Sequence, residues 1–171
     1  MDYPVTYERK VRFSDSDAQG IVFNGNYLTY FDDTITDYLE ATGIGCDEMT
    51  RRVIDLVLGR AEVDFRAAGQ IGDTLVTGAK VVEIGRTSVI FEMHTWDKPT
   101  GQTVAEGRLI QVMVDHRTHR PTPVPDWFVD AVERLQRSPS RRHATAPDPS
   151  PEPTRRTSSP TLDPGKLRPG G

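Results

Sequence analysis

The sequence predicts an α+β domain in which one long helix packs against a long antiparallel sheet. Between Asn26 and Thr42 the apolar side chains recur with the 3.6-residue period of a helix. After that helix come four extended stretches separated by tight turns, and turns this short join antiparallel neighbours. One further strand precedes the helix, so the predicted sheet has five strands, and a short helix follows the last of them.

The chain opens with a strand that leads into an acidic turn. From Val5 to Phe13 apolar and polar side chains alternate, which is the period-two pattern of a strand with one buried face. The next segment carries Asp15 and Asp17, followed by Gly20, and has the composition of a turn. The two carboxylates are therefore expected between the end of a strand and the start of the helix.

The long helix, Asn26–Thr42, presents one apolar face to the sheet. Asn24 or Asn26 can cap its first turn, and Gly43 provides a C-terminal stop. After Gly43 the sequence predicts only a short polar connection before the next strand. The residues of the apolar face are Tyr27, Phe31, Ile35, Tyr38, Leu39 and Thr42.

The remaining strands follow one another through short turns. The first, Val53–Ala67, changes the parity of its apolar residues at Gly59, which predicts a β-bulge there. Gly85-Arg86 and Asp97–Gly101 supply two hairpin turns, and Pro121–Pro125 ends the sheet. The other predicted segments are the strands Thr74–Ile84, Thr87–Trp96 and Gln102–Val114 and the helix Asp126–Arg137.

The chain divides into a folding domain, residues 1–137, and a tail, residues 138–171. The tail holds eight of the thirteen prolines and hardly any large apolar residue, so we expect it to be disordered. It carries six Lys and Arg against three Asp and Glu, and removing this charge of +3 from the formal −4 leaves −7 on residues 1–137. A domain this acidic argues against nucleic acid as a partner.

Composition also limits the compartment and the chemistry. Cys46 is the only cysteine, which excludes a disulfide within the chain and a cysteine zinc cluster. Residues 1–4 lack the features of a signal peptide, and no apolar run reaches the ~18 residues of a membrane span. We therefore expect a soluble, cytoplasmic protein. Serine-hydrolase and zincin motifs are absent from the sequence.

The order strand, acidic turn, helix places a carboxylate beside the backbone N–H groups that open the helix. These groups lack partners inside the helix and carry partial positive charge, so they can stabilise an oxyanion. Asp17 beside them can act on a carbonyl as a nucleophile or as a general base. An aspartate before a helix also commonly forms a turn, and this is the preferred interpretation of Asp15.

The segment Asp15–Phe23, followed by Asn26-Tyr27, resembles the signature of hot-dog-fold acyl-CoA thioesterases of the 4-hydroxybenzoyl-CoA thioesterase type. The resemblance implies a hot-dog fold, with one long helix wrapped by a five-stranded antiparallel sheet and a short C-terminal helix. It also implies hydrolysis of an acyl-CoA substrate without cofactor or metal, by a homodimer or homotetramer whose sites form between subunits. It continues through Gly72-Asp73, Gly85–Ser88, Ala105–Gly107 and Pro121–Pro125.

The resemblance assigns roles to particular residues. Asp17 matches the catalytic aspartate, and Asn24 matches the position whose backbone N–H polarises the thioester carbonyl. Many relatives have His or Tyr where this chain has Asn24, so the chain departs from the family at its acyl pocket. Arg86 lies where relatives place basic residues near the phosphates of coenzyme A. The expected substrate-binding residues are Gly20, Val22, Asn24, Tyr27, Arg86 and Ser88.

Other functions stay open at this point. The chain could be a non-catalytic acyl-CoA-binding module whose tail recruits a partner, or a hot-dog hydratase or dehydratase, although the Asp/His pair of those enzymes is not evident. The acid pair also resembles that of haloacid-dehalogenase phosphatases, but the Ser or Thr after it and the parallel sheet are missing. His116 and His119 suggest a metal site, yet their strand-end turn favours an exposed loop.

Overall fold

The computed structural model describes residues 2–137 and 141–142, and its centre is a five-stranded antiparallel sheet with one long helix against one face. The spatial order of the strands is β1-β3-β4-β5-β2, and every neighbouring pair in this series is antiparallel. The predicted hot-dog fold is confirmed. The strands are β1 (Val5–Lys10), β2 (Ile54–Phe65), β3 (Thr74–Ile84), β4 (Ser88–Asp97) and β5 (Thr103–Asp115).

Three helices accompany the sheet in the described part of the chain: α1 (Asn26–Ala41), α2 (Cys46–Arg51) and α3 (Asp126–Gln136). Within the described residues, none of the helices has the length and hydrophobicity of a membrane span. A two-residue strand, β6 (Arg141–Arg142), pairs parallel with the end of β3. The rest of the predicted tail lies outside the described residues, so its disorder stays a prediction.

Helix α1 approaches the sheet closely because a glycine lies beneath it. A Cβ atom added to Gly107 on β5 would lie 2.6 Å from Cε2 of Phe31, so the ring rests directly on the backbone of the strand. Phe31 and the side chains of Phe91 and Met93 on β4 are fully buried. The buried face of α1 comprises Tyr27, Tyr30, Phe31, Thr34, Ile35 and Tyr38.

Three register shifts shape the sheet, and one of them lies between Thr95 and Trp96 of β4 against β5. The predicted bulge at Gly59 is confirmed, because the register of β2 against β5 shifts between Leu58 and Arg60. A second shift, between Val81 and Glu83, was not predicted. There Gln136 of α3 replaces a neighbouring strand: its Oε1 accepts the Val81 N–H at 2.7 Å, and its Nε2 donates to the Val81 carbonyl at 3.0 Å.

The first strand is shorter than the alternation predicted. It ends at Lys10, and Phe13 lies in a 3-10 turn with 84% of its surface exposed. The turn forms because the Arg12 N–H donates to the Asp15 carboxylate at 2.8 Å while the Asp15 N–H donates to the Arg12 carbonyl at 3.0 Å. The prediction that the strand continues to Phe13 was therefore wrong.

The connection after α1 is helical, where the sequence predicted only a short polar connection. Helix α2 has acidic residues in its first turn, and Glu48 forms ion pairs with Arg51 and Arg52, three and four residues further on. Met49 is buried on its inner face. These contacts stabilise a helix of only six residues.

The face of the sheet away from α1 carries an aromatic stack. The rings of Tyr3, His94 and Trp96 are nearly parallel, and His94 and Trp96 are 5.2 Å apart. His94 is 3% exposed, and its Nε2 lies 2.9 Å from Oγ1 of Thr103. A cavity of about 430 Å³ adjoins this stack and is lined mainly by charged side chains, including Glu92.

Candidate functional site

Residues 15–23, which we call the acidic loop, connect the turn after β1 to the start of α1. The Asp17 N–H donates to the Ile21 carbonyl at 2.9 Å, and the Gly20 N–H donates to the Asp17 carbonyl at 3.0 Å. Gly20 has a φ of 76°, in the left-handed region that glycine adopts without strain. The Val22 N–H donates to the Gly69 carbonyl at 2.8 Å, which fixes the loop to the segment before β3.

The Asp17 side chain is half-buried and has one engaged oxygen. Its Oδ1 accepts the Gln19 N–H at 2.8 Å, so Asp17 does form a turn. No hydrogen bond to its Oδ2 is present among the described residues. Oδ1 therefore fixes the orientation of the side chain. Oδ2 is not engaged by any hydrogen bond from the described residues.

The start of α1 offers unpaired donors. No hydrogen bond within residues 2–137 has the backbone N–H of Asn24 or Gly25 as its donor. Gly25 is the N-cap, and no side chain caps the helix, so the predicted capping by Asn24 or Asn26 was wrong. The Asn26 side chain instead donates to the Asp15 carbonyl at 2.8 Å. The open amides lie at the positive end of the helix dipole.

Asp15 has a larger structural role than the predicted turn. Its carboxylate is buried and accepts hydrogen bonds from Arg9 at 2.9 Å and from the Arg12 N–H at 2.8 Å. Burial raises the pKa of the Asp15 carboxyl, but these two donors outweigh that effect and hold the pKa below its ordinary value. Asp15 is therefore a charged carboxylate at neutral pH.

Apolar surface surrounds the acidic loop and remains uncovered in the single chain. Val22 and Tyr27 are buried, and Tyr27 packs edge-on against Phe65 with ring centroids 5.4 Å apart. Burial raises the pKa of Tyr27. The role of Phe65 was missed in the sequence, where it appeared only as a strand residue. The large apolar side chains exposed on or beside the loop are Phe13, Phe23, Phe65 and Ile71.

The structure brings together only some of the expected substrate-binding residues. Gly20, Val22, Asn24 and Tyr27 lie in the acidic loop or at the start of α1, close in sequence to Asp17. Arg86 and Ser88 lie at the far end of β3, and an eleven-residue strand separates them from the loop by roughly 35 Å. Within one chain they are too far away to share a site with Asp17.

Other candidate residues do not form sites in the described part of the chain. Residues 2–137 contain no group of three or more His, Cys, Asp or Glu side chains placed to hold a metal ion. His116 lies 3.8 Å from Asp55, and Cys46 is exposed. Asp17 lines neither the cavity beside His94 nor a second cavity of about 310 Å³ between the C-terminal end of α1 and α3.

The fold, the acidic loop and the open helix amides are the features by which the class of this protein can be recognised. Comparison with known protein families identifies that class. The profile of the thioesterase-like superfamily matches residues 11–132, more than half of the chain, and the chain belongs to this superfamily.

Comparison with individual proteins identifies particular relatives. A chloroplastic acyl-acyl carrier protein thioesterase of Arabidopsis thaliana is 28% identical over 118 residues, which cover 69% of this chain and 62% of that protein. The chain thus spans less than two thirds of that relative. A 1,4-dihydroxy-2-naphthoyl-CoA hydrolase of Nostoc punctiforme is 29% identical over 134 residues, covering 77% of this chain and 88% of that protein.

Solved structures agree with the sequence comparison. A thioesterase from Thermus thermophilus, in complex with coenzyme A and Zn, has a TM-score of 0.70 and 28% sequence identity. The superposition covers 80% of this chain and 97% of that one. A gentisyl-coenzyme A thioesterase has a TM-score of 0.65 and 26% identity, covering 74% and 98% of the two chains.

Proposed function

We propose that the protein is an acyl-CoA thioesterase, which hydrolyses an acyl-CoA thioester to a free acid and coenzyme A. The observation that carries the proposal is the acidic loop, in which Asp17 has an open carboxylate oxygen a few residues before the unpaired amides of Asn24 and Gly25. The relatives named above are thioesterases and hydrolases, which supports the same reaction class.

In the proposed mechanism the open amides hold the thioester carbonyl oxygen while Asp17 acts on the carbonyl carbon. Donors placed at a developing oxyanion contribute about 3 kcal/mol each to the transition state. A free cysteine thiol has a pKa of about 8.5, and a thiol of this kind, such as that of coenzyme A, leaves as a thiolate without strong acid assistance. Two routes for Asp17 remain: attack on the carbonyl to give a transient anhydride that water then hydrolyses, or deprotonation of the attacking water.

We propose further that the working unit is a homodimer that pairs the free edges of β2. This strand is the last in the sheet, and it exposes Val57 and Leu58. A two-fold axis through paired β2 edges reverses the strand direction, so the Arg86 end of one subunit lies on the same side as the acidic loop of the other. A coenzyme A bound between subunits could then contact both regions. A homotetramer built from two such dimers is the alternative.

A hydrolysis screen tests the proposed activity. Aromatic, short-chain and long-chain acyl groups would be offered on coenzyme A and on acyl carrier protein, with detection of the free thiol. We expect Asp17→Asn to lower kcat by about 10²- to 10⁴-fold, the usual contribution of a general base, and Asp32→Asn on the exposed face of α1 to match wild type. An Asp17→Asn protein as fast as wild type would refute the assigned role.

The two routes for Asp17 differ in where oxygen from water appears. During a single turnover in ¹⁸O-labelled water, the anhydride route transfers label into the Asp17 carboxylate when water attacks the aspartyl carbonyl. The general-base route leaves that carboxylate unlabelled, and the label appears only in the released acid. In mass spectrometry of the peptide that contains Asp17, label supports the anhydride route, and its absence favours the general base.

The alternative function is an acyl-CoA-binding module without turnover. It is favoured by one observation: Asp17 already has a structural task, because its Oδ1 forms the turn with Gln19. Wild-type protein that binds acyl-CoA in calorimetry but releases no thiol would support this alternative. The cytoplasmic location also remains a proposal, for which a single cysteine offers support and cell fractionation the test.

A further inference from the structure

Asp15 lies where three parts of the fold meet. It is 4% exposed, and its Oδ1 accepts a hydrogen bond from Nη2 of Arg9 on β1. The same guanidinium lies 3.7 Å from Oδ2 of Asp33 on α1 and 4.9 Å from the centroid of the Tyr30 ring. Through Arg9, the Asp15 carboxylate is therefore connected to both the first strand and the long helix.

The main chain of Asp15 closes the acidic loop. Its carbonyl oxygen accepts the Phe23 N–H at 2.9 Å and Nδ2 of Asn26 at 2.8 Å. One donor comes from the last residue of the loop and the other from the first residue of α1. The side chain of Asp15 thus fixes the entrance to the loop, and its carbonyl fixes the exit.

We infer that Asp15 is a positioning residue, which holds the acidic loop and the start of α1 in fixed relative positions through Arg9 and Asn26. These positions set the distance between the Asp17 carboxylate and the open amides of the helix. The inference rests on the proposed hydrolase function and extends it, because neither Asp15 nor Arg9 is assigned a contact with the substrate.

If the Asp15–Arg9 ion pair only stabilises the fold, its removal should change stability but not kcat. If the pair positions the acidic loop, its removal should also lower kcat. Removing one partner of a buried pair lowers the free energy of unfolding, but the protein that remains folded would then keep its kcat. A displacement of about 1 Å between a catalytic group and its substrate costs up to about 100-fold in rate. Separating kcat from stability therefore distinguishes the two roles.

The test compares full-length wild type with Asp15→Asn, at a temperature where circular dichroism finds both fully folded. Asparagine keeps the shape and can still accept the Arg12 N–H, but it loses the charge that pairs with Arg9. We expect kcat to fall about 10- to 100-fold while KM changes less than about threefold. Amide hydrogen exchange over residues 16–26 should accelerate, with the rest of the chain unchanged.

Two further variants complete the design. Arg9→Lys keeps a positive charge but loses the planar fork, so it should show a smaller change of the same kind, and it serves if Asp15→Asn does not fold. Glu8→Gln is the matched control, because it removes an exposed Glu–Lys pair of 2.6 Å away from β2 and should leave both kcat and exchange unchanged.

Wild-type kcat in folded Asp15→Asn or, failing that variant, in Arg9→Lys would overturn the inference. If wild type itself hydrolyses no acyl-CoA or acyl carrier protein substrate, the proposed function fails, and the exchange measurement then decides the inference alone. Exchange over residues 16–26 that does not change in Asp15→Asn overturns it, and selective acceleration there supports it.

Discussion

The buried side chain of His94 gives this fold a dependence on pH. Burial lowers the pKa of His94, although Glu106 and Glu92 nearby act in the opposite direction. In the unfolded chain the histidine pKa is about 6.5. As pH falls through about 6.5, the unfolded chain therefore takes up a proton before the folded protein does, and the free energy of unfolding decreases. The decrease stops below the folded pKa.

Replacing His94 should flatten that dependence. His94→Gln removes the titrating group and keeps a polar side chain that can bond to Thr103. Between pH 7.5 and pH 5.5 we expect the urea midpoint of wild type to fall more than that of His94→Gln, whatever the offset between them at pH 7.5. Parallel pH profiles for the two proteins would contradict the assignment.

The close contact between α1 and β5 depends on Gly107, which has no side chain. Because a Cβ atom on Gly107 would lie 2.6 Å from the Phe31 ring, Gly107→Ala must push the helix from the sheet or rotate the ring. Overpacking of this kind costs about 1–3 kcal/mol, so the urea midpoint should fall with no change in secondary structure.

Gly45 provides the comparison for that substitution. It has a φ of −66°, and the nearest atom to an added Cβ is 3.8 Å away. Alanine is a poorer N-cap than glycine, but it also restricts the unfolded chain, and because these effects oppose each other Gly45→Ala should change the free energy of unfolding by less than about 1 kcal/mol. Equal losses in Gly45→Ala and Gly107→Ala would mean that the close approach of Phe31 is not what matters.

Local patterns predicted the elements whose causes are local. The bulge at Gly59 followed from a parity change, and the hairpin turns followed from their glycines. Helix α2 could not be predicted in this way, because it depends on Met49 reaching the core and on ion pairs of Glu48. The exposed position of Phe13 depends on the bonds of Asp15, which the alternation of strand residues does not reveal.

For the whole molecule, the proposed dimer depends on the edge of β2. Val57→Lys combined with Leu58→Lys would place four additional positive charges at the paired edges of two subunits, where like charges repel. We expect this variant to elute as a folded monomer and to lose thioester hydrolysis. Light scattering after size exclusion measures the mass, with Thr50→Lys on the exposed face of α2 as the control.

The arrangement of subunits also limits how much of the candidate site the sequence could predict. Asp17, Gly20, Val22 and Asn24 belong to one short motif, so a linear pattern was sufficient to group them. Arg86 was grouped with them by resemblance alone, and the length of β3 separates it from the loop within one chain. In the proposed dimer, the acidic loop of one subunit and the Arg86 region of the other are brought together by the arrangement of the subunits. Linear patterns in one sequence do not specify that arrangement.

The bond between Gln136 and Val81 has a consequence for the lifetime of the protein in solution. A side-chain amide here takes the place of a strand between the part of β3 that pairs with β1 and the part that pairs with β6, so the pairing of this edge depends on a short terminal helix remaining docked. If heat or proteolysis detaches that helix, unpaired peptide groups of β3 become a template for strands of other molecules. Aggregation would then begin at this margin, well before the central sheet unfolds.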